Sequence, residues 1–217
     1  MNGSANFGVI RERLFTAVVG DVLDSLGHVH QILPPGVVPV REEMMLVGRA
    51  MPVLVGLVSG PQRHPFGRLT EALDDLGPDE AYVSGGSRVE CAGWGEILTQ
   101  VARTRGAAGA VIDGYHRDTK GIVAQGWPVF SRGPYAQDSR VRSAVLDFRL
   151  PIEIGGVIIS PGDLMIGDVD GVVVVPSEIE AETIELALAK VAAENTVLAD
   201  IRNGMTATEA FARHGVL

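Results

Sequence analysis

The sequence predicts an α/β fold, because helix-like and strand-like segments alternate along the chain. The apolar run 172–175 suits a buried strand, whereas apolar residues recur at helical spacing over 9–26 and 177–202. Apolar residues make up 46% of the 217 residues, which is enough for a sizeable core. We expect residues 1–217 to form one domain, with a flexible segment at 1–9.

The first half of the chain contains two predicted helices and two predicted strand regions. The helical spacing over 9–26 predicts the first helix, and a glycine follows its last apolar residue. Residues 44–58 are rich in valine, and the glycines and proline among them predict two strand pieces or one bent strand. A short helix over 69–76, a strand over 78–84 and a turn at 85–86 follow.

Two hairpins are predicted in the second half. Residues 143–160 suit a hairpin with a glycine turn, and residues 164–175 suit another. The second turn contains Asp168, Asp170 and Gly171, which invites comparison with a calcium loop. The segment is too short for that loop and lacks its terminal glutamate, so a tight turn is the favoured interpretation.

A long helix is predicted over 177–202. Ser177 is its expected N-cap, and Glu180 stands at the capping-box position three residues later. Thr206 is expected to cap a last short helix that runs through Arg213. The apolar stripe of the long helix is predicted to consist of Ile184, Leu188, Val191, Ala192 and Leu198.

Composition and charge narrow the possible functions. The formal net charge of −9 argues against a nucleic-acid surface, which needs a basic patch, so we expect no nucleic-acid partner. No apolar run approaches the roughly 20 residues of a membrane span, and no signal peptide is expected, so we expect no membrane partner. The single cysteine, Cys91, excludes an internal disulfide and favours a reducing cytoplasm.

The residues best suited to catalysis or ligand binding are concentrated in the middle of the chain. Its pattern predicts a helix over 94–105 and a buried strand over 110–112, followed by a polar loop. A helix start and a strand end can lie side by side in such a unit. This arrangement would bring the free backbone N–H groups near Gly95 together with Arg117 and Asp118.

These groups suit the binding of a 2-oxo acid. Free N–H groups at a helix start bind anions, and arginine binds a carboxylate through two parallel hydrogen bonds. The Asp118 carboxylate is a hard oxygen ligand for Mg²⁺ or Mn²⁺. Together they would hold the carboxylate of a 2-oxo acid and chelate it to the metal. The alternative is that Arg117 and Asp118 form only a surface ion pair.

At these residues the chain resembles the RraA-like family, and the resemblance extends over nearly the whole sequence. That family includes the 4-hydroxy-4-methyl-2-oxoglutarate and 4-carboxy-4-hydroxy-2-oxoadipate aldolases, and the ribonuclease E regulator for which it is named. The matching motifs are VGDVLDSLG at 19–27, VGRA at 47–50, GEIL at 95–98, GAVIDGYHRD at 109–118, PGDLMIGDVDGVVVVP at 161–176 and the tail over 201–217.

The resemblance implies a three-layer swivelling β/β/α domain and a homotrimer, or a homohexamer built from trimers, with sites at the subunit interfaces. It implies a metal-dependent lyase that cleaves a 2-oxo acid to release pyruvate, with oxaloacetate decarboxylation as a side activity. Two alternatives stay open. One is a non-catalytic protein-binding regulator of the ribonuclease E inhibitor type. The other is a sugar-acid lyase or isomerase whose specificity is set by the loop 59–68.

The resemblance also implies roles for individual residues. Asp118 is the expected ligand of Mg²⁺ or Mn²⁺, and Arg117 would bind substrate and neutralise the charge that develops as the bond breaks. Glu194, on the long helix of a neighbouring subunit, would reach the active site. The substrate carboxylate would be held at the helix start by Gly95, Glu96, Ile97 and Leu98.

One position departs from the family pattern. Many of the aldolases carry an acidic residue three positions after the metal aspartate, and here that position is Gly121. The missing acid usually contacts the metal through water, so its absence puts the aldol reaction in doubt. Asp113 is a candidate to replace the missing acid. The alternative is that Asp113 only caps a turn.

Other candidates have mainly structural interpretations. Cys91 precedes a helix start and, with His116 as base, would be a nucleophile, but a small buried apolar role is favoured. Asp21 and Asp24 lie on one helix face, where a solvated role is favoured over metal ligation. In the loop 59–68, the family resemblance makes Arg63, His64 and Arg68 candidates for contacting the far end of a substrate, but solvent exposure is favoured for each.

Overall fold

The computed structural model describes residues 7–215, which form twelve strands and seven helices. The strands are β1 (Val38–Pro39), β2 (Leu46–Leu57), β3 (Glu80–Gly86), β4 (Ala92–Trp94), β5 (Gly109–Ile112), β6 (Tyr115–His116), β7 (Val129–Ser131), β8 (Ser143–Phe148), β9 (Ile152–Ile154), β10 (Val157–Ile159), β11 (Leu164–Asp168) and β12 (Gly171–Val175). The helices are α1 (Phe7–Arg13), α2 (Thr16–Ser25), α3 (Leu69–Asp75), α4 (Glu96–Thr104), α5 (Thr119–Gln125), α6 (Glu180–Arg202) and α7 (Ala207–His214).

Eight strands form the main sheet. Its order is β1-β7-β5-β3-β2-β11-β12, and β8 pairs with the second half of β2. The pairs β2–β3, β3–β5 and β5–β7 are parallel, whereas β11 and β12 form an antiparallel hairpin beside β2. Two small sheets, β9–β10 and β4–β6, complete the strands. The parallel strands therefore end at the same edge of the main sheet.

The main sheet is buried on both faces, which produces three layers. On one face, Ala50, Val83 and Val111 belong to the same core cluster as Ile154 and Ile159 of the β9–β10 hairpin. The alternate residues of these strands point to the other face, because successive side chains in a strand project in opposite directions. They pack there against α3, α4 and α5, and against α1, α2 and α6. This arrangement confirms the predicted β/β/α fold.

The prediction of one helix over 9–26 was wrong, because α1 and α2 are separated at Leu14 and Phe15. The break is explained by Asp168, whose carboxylate accepts hydrogen bonds from the N (2.7 Å) and Oγ1 (2.6 Å) of Thr16. This distant aspartate thus caps α2, and its structural role in a tight turn is confirmed. Residues 7–9, expected to be flexible, are helical, and the first six residues lie outside the described range.

Strand β2 is a single strand rather than two. Its pairing with β8 shifts register between Leu54 and Val55, so the bent-strand alternative is confirmed. The turn expected at 85–86 was wrong, since both glycines belong to β3. Gly86 has a φ of 114° there, and a Cβ on it would lie 2.7 Å from the backbone oxygen of Val55. Glycine is required at this position by both conformation and space.

The segment predicted as one hairpin over 143–160 divides into two parts. Strand β8 pairs with β2, and only β9 and β10 form a hairpin. Gly155 and Gly156 connect them with φ values of 60° and 90°, which suit glycine. The second predicted hairpin is confirmed as β11–β12, in which Asp168 pairs with Gly171.

The predicted cap of the long helix was wrong. Helix α6 begins at Glu180, and the Ser177 N donates a hydrogen bond to Asp163 Oδ1 at 3.1 Å. The Glu180 carboxylate instead forms a two-pronged ion pair with the guanidinium of Arg49 in β2, including a bond of 2.8 Å to Nη2. This pair ties the start of α6 to the main sheet, which a local capping pattern could not reveal.

The C-terminal helices confirm other expectations. Thr206 caps α7 in a capping box with Glu209. Ile184, Leu188 and Val191 pack on the core from α6 as expected, but two predicted members of the stripe do not, since Ala192 and Leu198 are exposed. Among residues 7–215, no helix has the length and apolar composition that a membrane span requires.

The Arg49–Glu180 pair generates a stability prediction. Replacing Glu180 with Gln leaves the partly buried Arg49 guanidinium without its counter-ion, which should lower the free energy of unfolding by about 1–3 kcal/mol. Urea unfolding of the wild-type protein and Glu180→Gln measures this difference. The exposed Glu182 on the same helix provides the matched control, Glu182→Gln, which should change stability by less than about 0.5 kcal/mol. Equal effects of both variants would contradict the role of the pair.

Candidate active site

The two-stranded sheet β4–β6 positions the candidate site. The strands run parallel, with Trp94 opposite His116, and the Arg117 N donates to the Trp94 backbone oxygen at 3.0 Å. The chain beyond each strand therefore reaches the same place. A Cβ on Gly95 would lie 2.8 Å from Asp118 Oδ2 and 3.5 Å from Arg117 Cγ. The predicted proximity of these three residues is confirmed.

Helix α4 begins at Glu96, two residues later than predicted, because Trp94 belongs to β4. Thr99 fixes its first turn, since its N and Oγ1 both donate to the Gly95 backbone oxygen at 3.0 Å. The buried Trp94 Nε1 donates in turn to Thr99 Oγ1 at 2.9 Å. In the described part of the chain, the N–H groups of residues 96–98 have no hydrogen-bond acceptor. They are therefore available to bind an anion.

Arg117 and Asp118 lie on an open surface beside this helix start. Their side chains are 42% and 46% exposed, and Arg117 Nε lies 3.7 Å from Asp118 Oδ2. Arg117 Nη1 also contacts Asp138 Oδ1 at 3.2 Å. Asp138 comes from the polar loop before β8, and no motif in the sequence marked it. Arg117 is thus held between two carboxylates and accessible to an anionic ligand.

Asp118 has an unusual backbone conformation. Its φ of 56° and ψ of 37° are left-handed, which is uncommon for a residue with a side chain. Its backbone oxygen accepts hydrogen bonds from the N–H groups of Gly121 and Ile122, which lie in the first turn of helix α5. This helix was not predicted from the sequence. Strained residues of this kind concentrate at functional sites, so the backbone conformation of Asp118 is consistent with a functional role.

His116 fixes the chain just before the Arg117–Asp118 pair. Its Nδ1 lies 2.7 Å from Ser131 Oγ and its Nε2 lies 3.0 Å from Thr119 Oγ1, so both ring nitrogens are engaged. Burial lowers the pKa of His116 below its usual value, because the charged form would lose its hydration. Both ring nitrogens are occupied by hydroxyl groups, and neither contacts Cys91, whose Sγ lies 3.4 Å from Ser143 Oγ.

Gly121 and Glu96 are complementary in space. A Cβ on Gly121 would lie 2.2 Å from the Glu96 Cδ and 2.3 Å from its Oε2. The carboxylate of Glu96 therefore occupies the volume that a side chain at position 121 would fill. Sequence reasoning assigned only a backbone role to Glu96, because residues 96 and 121 are distant in the chain. The candidate site thus contains the Glu96 carboxylate in addition to those of Asp118 and Asp138.

The residues present suit a divalent cation as part of a larger ligand set. Between residues 7 and 215, no three Asp, Glu, His or Cys side chains form a metal-binding group. Two carboxylates on an open surface leave room for water and substrate oxygens, and Mg²⁺ commonly keeps several such ligands. Asp113 does not supply a third carboxylate, because its Oδ1 accepts a hydrogen bond from Arg132 Nε at 2.6 Å.

Glu194 lies on another part of the chain. It is on α6, where Lys190 Nζ approaches its Oε1 at 3.8 Å, and it lines a cleft between α2 and α6. No hydrogen bond or ion pair connects it to Arg117 or Asp118 within one chain. Its predicted contribution from a neighbouring subunit stays a prediction.

The other candidates have structural partners or lie on the surface. Asp21 forms an ion pair with Lys190 at 2.9 Å. Arg68 pairs with Glu71 and Asp147, and its guanidinium stacks on the ring of Phe148.

Comparison with known proteins identifies related sequences. Residues 16–174 match the family described as "RraA-like: Aldolase/RraA". The chain is 31% identical over 198 residues to the "Putative 4-hydroxy-4-methyl-2-oxoglutarate aldolase" of Halalkalibacterium halodurans, covering 90% of this chain and 89% of the relative. It is 26% identical over 196 residues to Protein DlpA of Legionella pneumophila. That match covers 90% of this chain but only 31% of the longer protein.

Solved structures share the fold. An uncharacterized protein from Pseudomonas syringae pathovar tomato superimposes with a TM-score of 0.81 at 33% identity, over 94% of this chain and 96% of the other. RraAS2 of Streptomyces coelicolor, described as an unusual member of the RNase ES inhibitor RraA protein family, gives a TM-score of 0.75 at 26% identity. That match covers 87% of this chain and 94% of the other.

The hydrogen bonds of Thr99 generate a prediction about the helix start. Thr99→Val keeps the side-chain shape but leaves the buried Trp94 Nε1–H without an acceptor, which should cost about 1–3 kcal/mol of stability. The matched control is Thr104→Val on the same helix, where the hydroxyl is exposed. Urea unfolding of both variants measures the difference. If the two variants lose the same stability, the buried bonds do not fix the start of α4.

Proposed function

Because the chain belongs to the RraA-like family, we propose that it is a divalent-metal-dependent carbon–carbon lyase that cleaves a 2-oxo acid and releases pyruvate. The observation that carries the proposal is the convergence of three kinds of group at one place. Free N–H groups at the start of α4, the Arg117 guanidinium and the Asp118 carboxylate meet around Gly95. An anion-binding helix start beside a cation and a hard oxygen ligand suits a 2-oxo acid and Mg²⁺ or Mn²⁺.

The substrate carboxylate would bind at the helix start. The N–H groups of Glu96, Ile97 and Leu98 would donate to its oxygens, while Gly95 allows the close approach of Arg117 and Asp118. Arg117 contacts Asp138 in the free chain, and the substrate would compete with that carboxylate for the guanidinium. The exposed Ile97 would present an apolar surface next to the bound acid.

Asp118 and Glu96 are the residues that would hold the metal, Asp118 directly and Glu96 through water. When bound, Mg²⁺ or Mn²⁺ would withdraw electron density from the 2-oxo group. Arg117 would stabilise the negative charge that accumulates on the pyruvate fragment as the carbon–carbon bond breaks. The 4-hydroxyl group would lose its proton to a nearby water as the bond between C3 and C4 breaks and C4 becomes a carbonyl. A proton from water would then return to C3 of the remaining fragment, which gives pyruvate. Oxaloacetate would lose CO₂ by the same redistribution of charge, as a side activity.

Assembly would complete the site. The half-exposed Arg117 and Asp118 leave one side of the candidate site open in a single chain. In the proposed homotrimer, or homohexamer built from trimers, Glu194 of a neighbouring subunit would cover that side. We propose a cytoplasmic enzyme without nucleic-acid or membrane partners.

The second candidate function is a protein-binding regulator without catalytic activity. It is supported by the similarity to RraAS2, which is described as an unusual member of the RNase ES inhibitor RraA protein family. Release of pyruvate from oxaloacetate distinguishes the two functions. Metal-dependent release supports the lyase, whereas no release from any 2-oxo acid, together with binding to a purified ribonuclease E-type enzyme, supports the regulator.

Asp118→Asn tests the proposed metal ligand. Asparagine keeps the shape and tolerates the left-handed backbone, but it removes the negative charge, so metal-dependent pyruvate release should fall by at least about 100-fold. The assay follows pyruvate with Mg²⁺ or Mn²⁺ and again with excess chelator. Asp170→Asn, in an exposed turn, is the matched control and should keep full activity. Full activity of Asp118→Asn with an unchanged melting temperature would refute the assignment.

Relocating a carboxylate tests the role of Glu96. Glu96→Ala should raise the metal concentration needed for half-maximal activity by about 10- to 100-fold, the usual effect of losing a group that orients metal ligands. Adding Gly121→Asp to this variant returns a carboxylate to nearly the same space and should recover at least part of the loss. Glu12→Ala, on an exposed face of α1, controls for the loss of one surface charge. Failure of Glu96→Ala to change the metal dependence would remove Glu96 from the site.

A further inference from the structure

A second cleft lies at the carboxyl ends of the parallel strands β2, β3 and β5. It encloses about 560 Å³ including its open mouth. Its floor contains Val55, Ser84 and Ile112 from these strands. In open α/β sheets, ligands bind outside the carboxyl ends of the strands, because the loops that follow converge there.

This cleft is separate from the candidate active site. It is lined by Gly93 and Gly114, which precede the paired residues Trp94 and His116, whereas Arg117 follows them. The lining of the cleft includes neither Arg117 and Asp118 nor residues 95–98.

Ser84 provides the first sign of a ligand. The residue is only 7% exposed and lines the cleft. Among the described residues its hydroxyl has no hydrogen-bond partner. The oxygen does not belong to the fully buried unpaired side-chain atoms, so it reaches the open space of the cleft, where a ligand can bind it.

Asp113 provides the second sign. Its side chain is 7% exposed, and its Oδ1 accepts from Arg132, whereas its Oδ2 has no hydrogen-bond donor within the described chain. An ionised carboxylate only accepts hydrogen bonds, so a ligand at this place must donate one. Arg88, between the lining residues Ser87 and Val89, is largely exposed, and its Nη2 lies 4.0 Å from Asp113 Oδ1. Asp113 and Arg132 neutralise each other, which leaves the positive charge of Arg88 for an anionic ligand.

The remaining walls define the size and polarity of the ligand. Phe66, Leu69 and Val145 are apolar, and Ser143 and Cys91 add a hydroxyl and a thiol. We propose that this cleft is a second small-molecule site, which binds a compact hydroxylated monocarboxylate. Its hydroxyl groups donate to Asp113 and contact Ser84, and its carboxylate meets Arg88.

The site is tested with D-glycerate as the probe, by calorimetric titration in the presence of chelator. Propionate lacks the hydroxyl groups and glycerol lacks the carboxylate, so each should bind at least about fivefold more weakly than glycerate. The titration is repeated in Arg117→Gln, which removes the guanidinium that would bind an anion at the candidate active site. Glycerate binding should survive in that variant, so its outcome is independent of the proposed lyase function.

Two substitutions locate the binding. A Cβ on Gly114 would meet only Ile112 Cγ2, at 3.7 Å, so Gly114→Val should fit the fold, fill the cleft and weaken glycerate binding at least about tenfold. Ser84→Ala removes a hydroxyl that has no protein partner and should weaken binding about two- to tenfold. Ser177→Ala, an exposed serine elsewhere, is the matched control and should bind normally. Melting temperatures check that each variant is folded.

Cys91 supplies an independent readout, because it lines the cleft and is the only cysteine of the chain. Glycerate should slow its modification by methyl methanethiosulfonate, as followed by intact-protein mass spectrometry, and propionate should not. The proposal is overturned if glycerate does not bind, if Arg117→Gln abolishes binding, or if Gly114→Val remains folded and binds glycerate as the wild type does.

Discussion

The close approach of Gly95 to Asp118 is the contact on which the candidate active site depends. A side chain at position 95 would place its Cβ 2.8 Å from the Asp118 carboxylate, so the two segments can meet only over glycine. The parallel pairing of β4 with β6 brings them together, and buried bonds from Trp94 and His116 fix both strands. The helix start, the guanidinium and the carboxylate therefore share one rigid support, which preorganised sites require.

The Glu96 carboxylate lies beside the position where the family pattern leads us to expect an acid. Gly121 stands at that position, and a Cβ on it would lie 2.2 Å from the Glu96 Cδ. In the proposed lyase, the longer side chain from the start of α4 would supply the negative charge that position 121 lacks.

Both proposed sites lie at the ends of paired parallel strands, one at the main sheet and the other at the β4–β6 sheet. Parallel strands end at one edge of the main sheet, where β3 carries Ser84 and the segment after β5 carries Asp113. The short β4–β6 sheet extends beyond that edge and carries Arg117 and Asp118 at its far end. The first place is a cleft with an open mouth and the second is an open surface.

The sequence by itself determined the α/β class, most strand positions and the motif that joins Gly95 to Asp118, because these depend on local periodicity and on adjacent residues. It did not determine the break between α1 and α2, the cap of α6 or the role of Glu96. Each of these depends on a residue distant in the chain: Asp168 caps Thr16, Arg49 holds Glu180, and Gly121 makes room for Glu96. Such contacts exist only after the strands have paired and the layers have packed, so tertiary structure alone decided them.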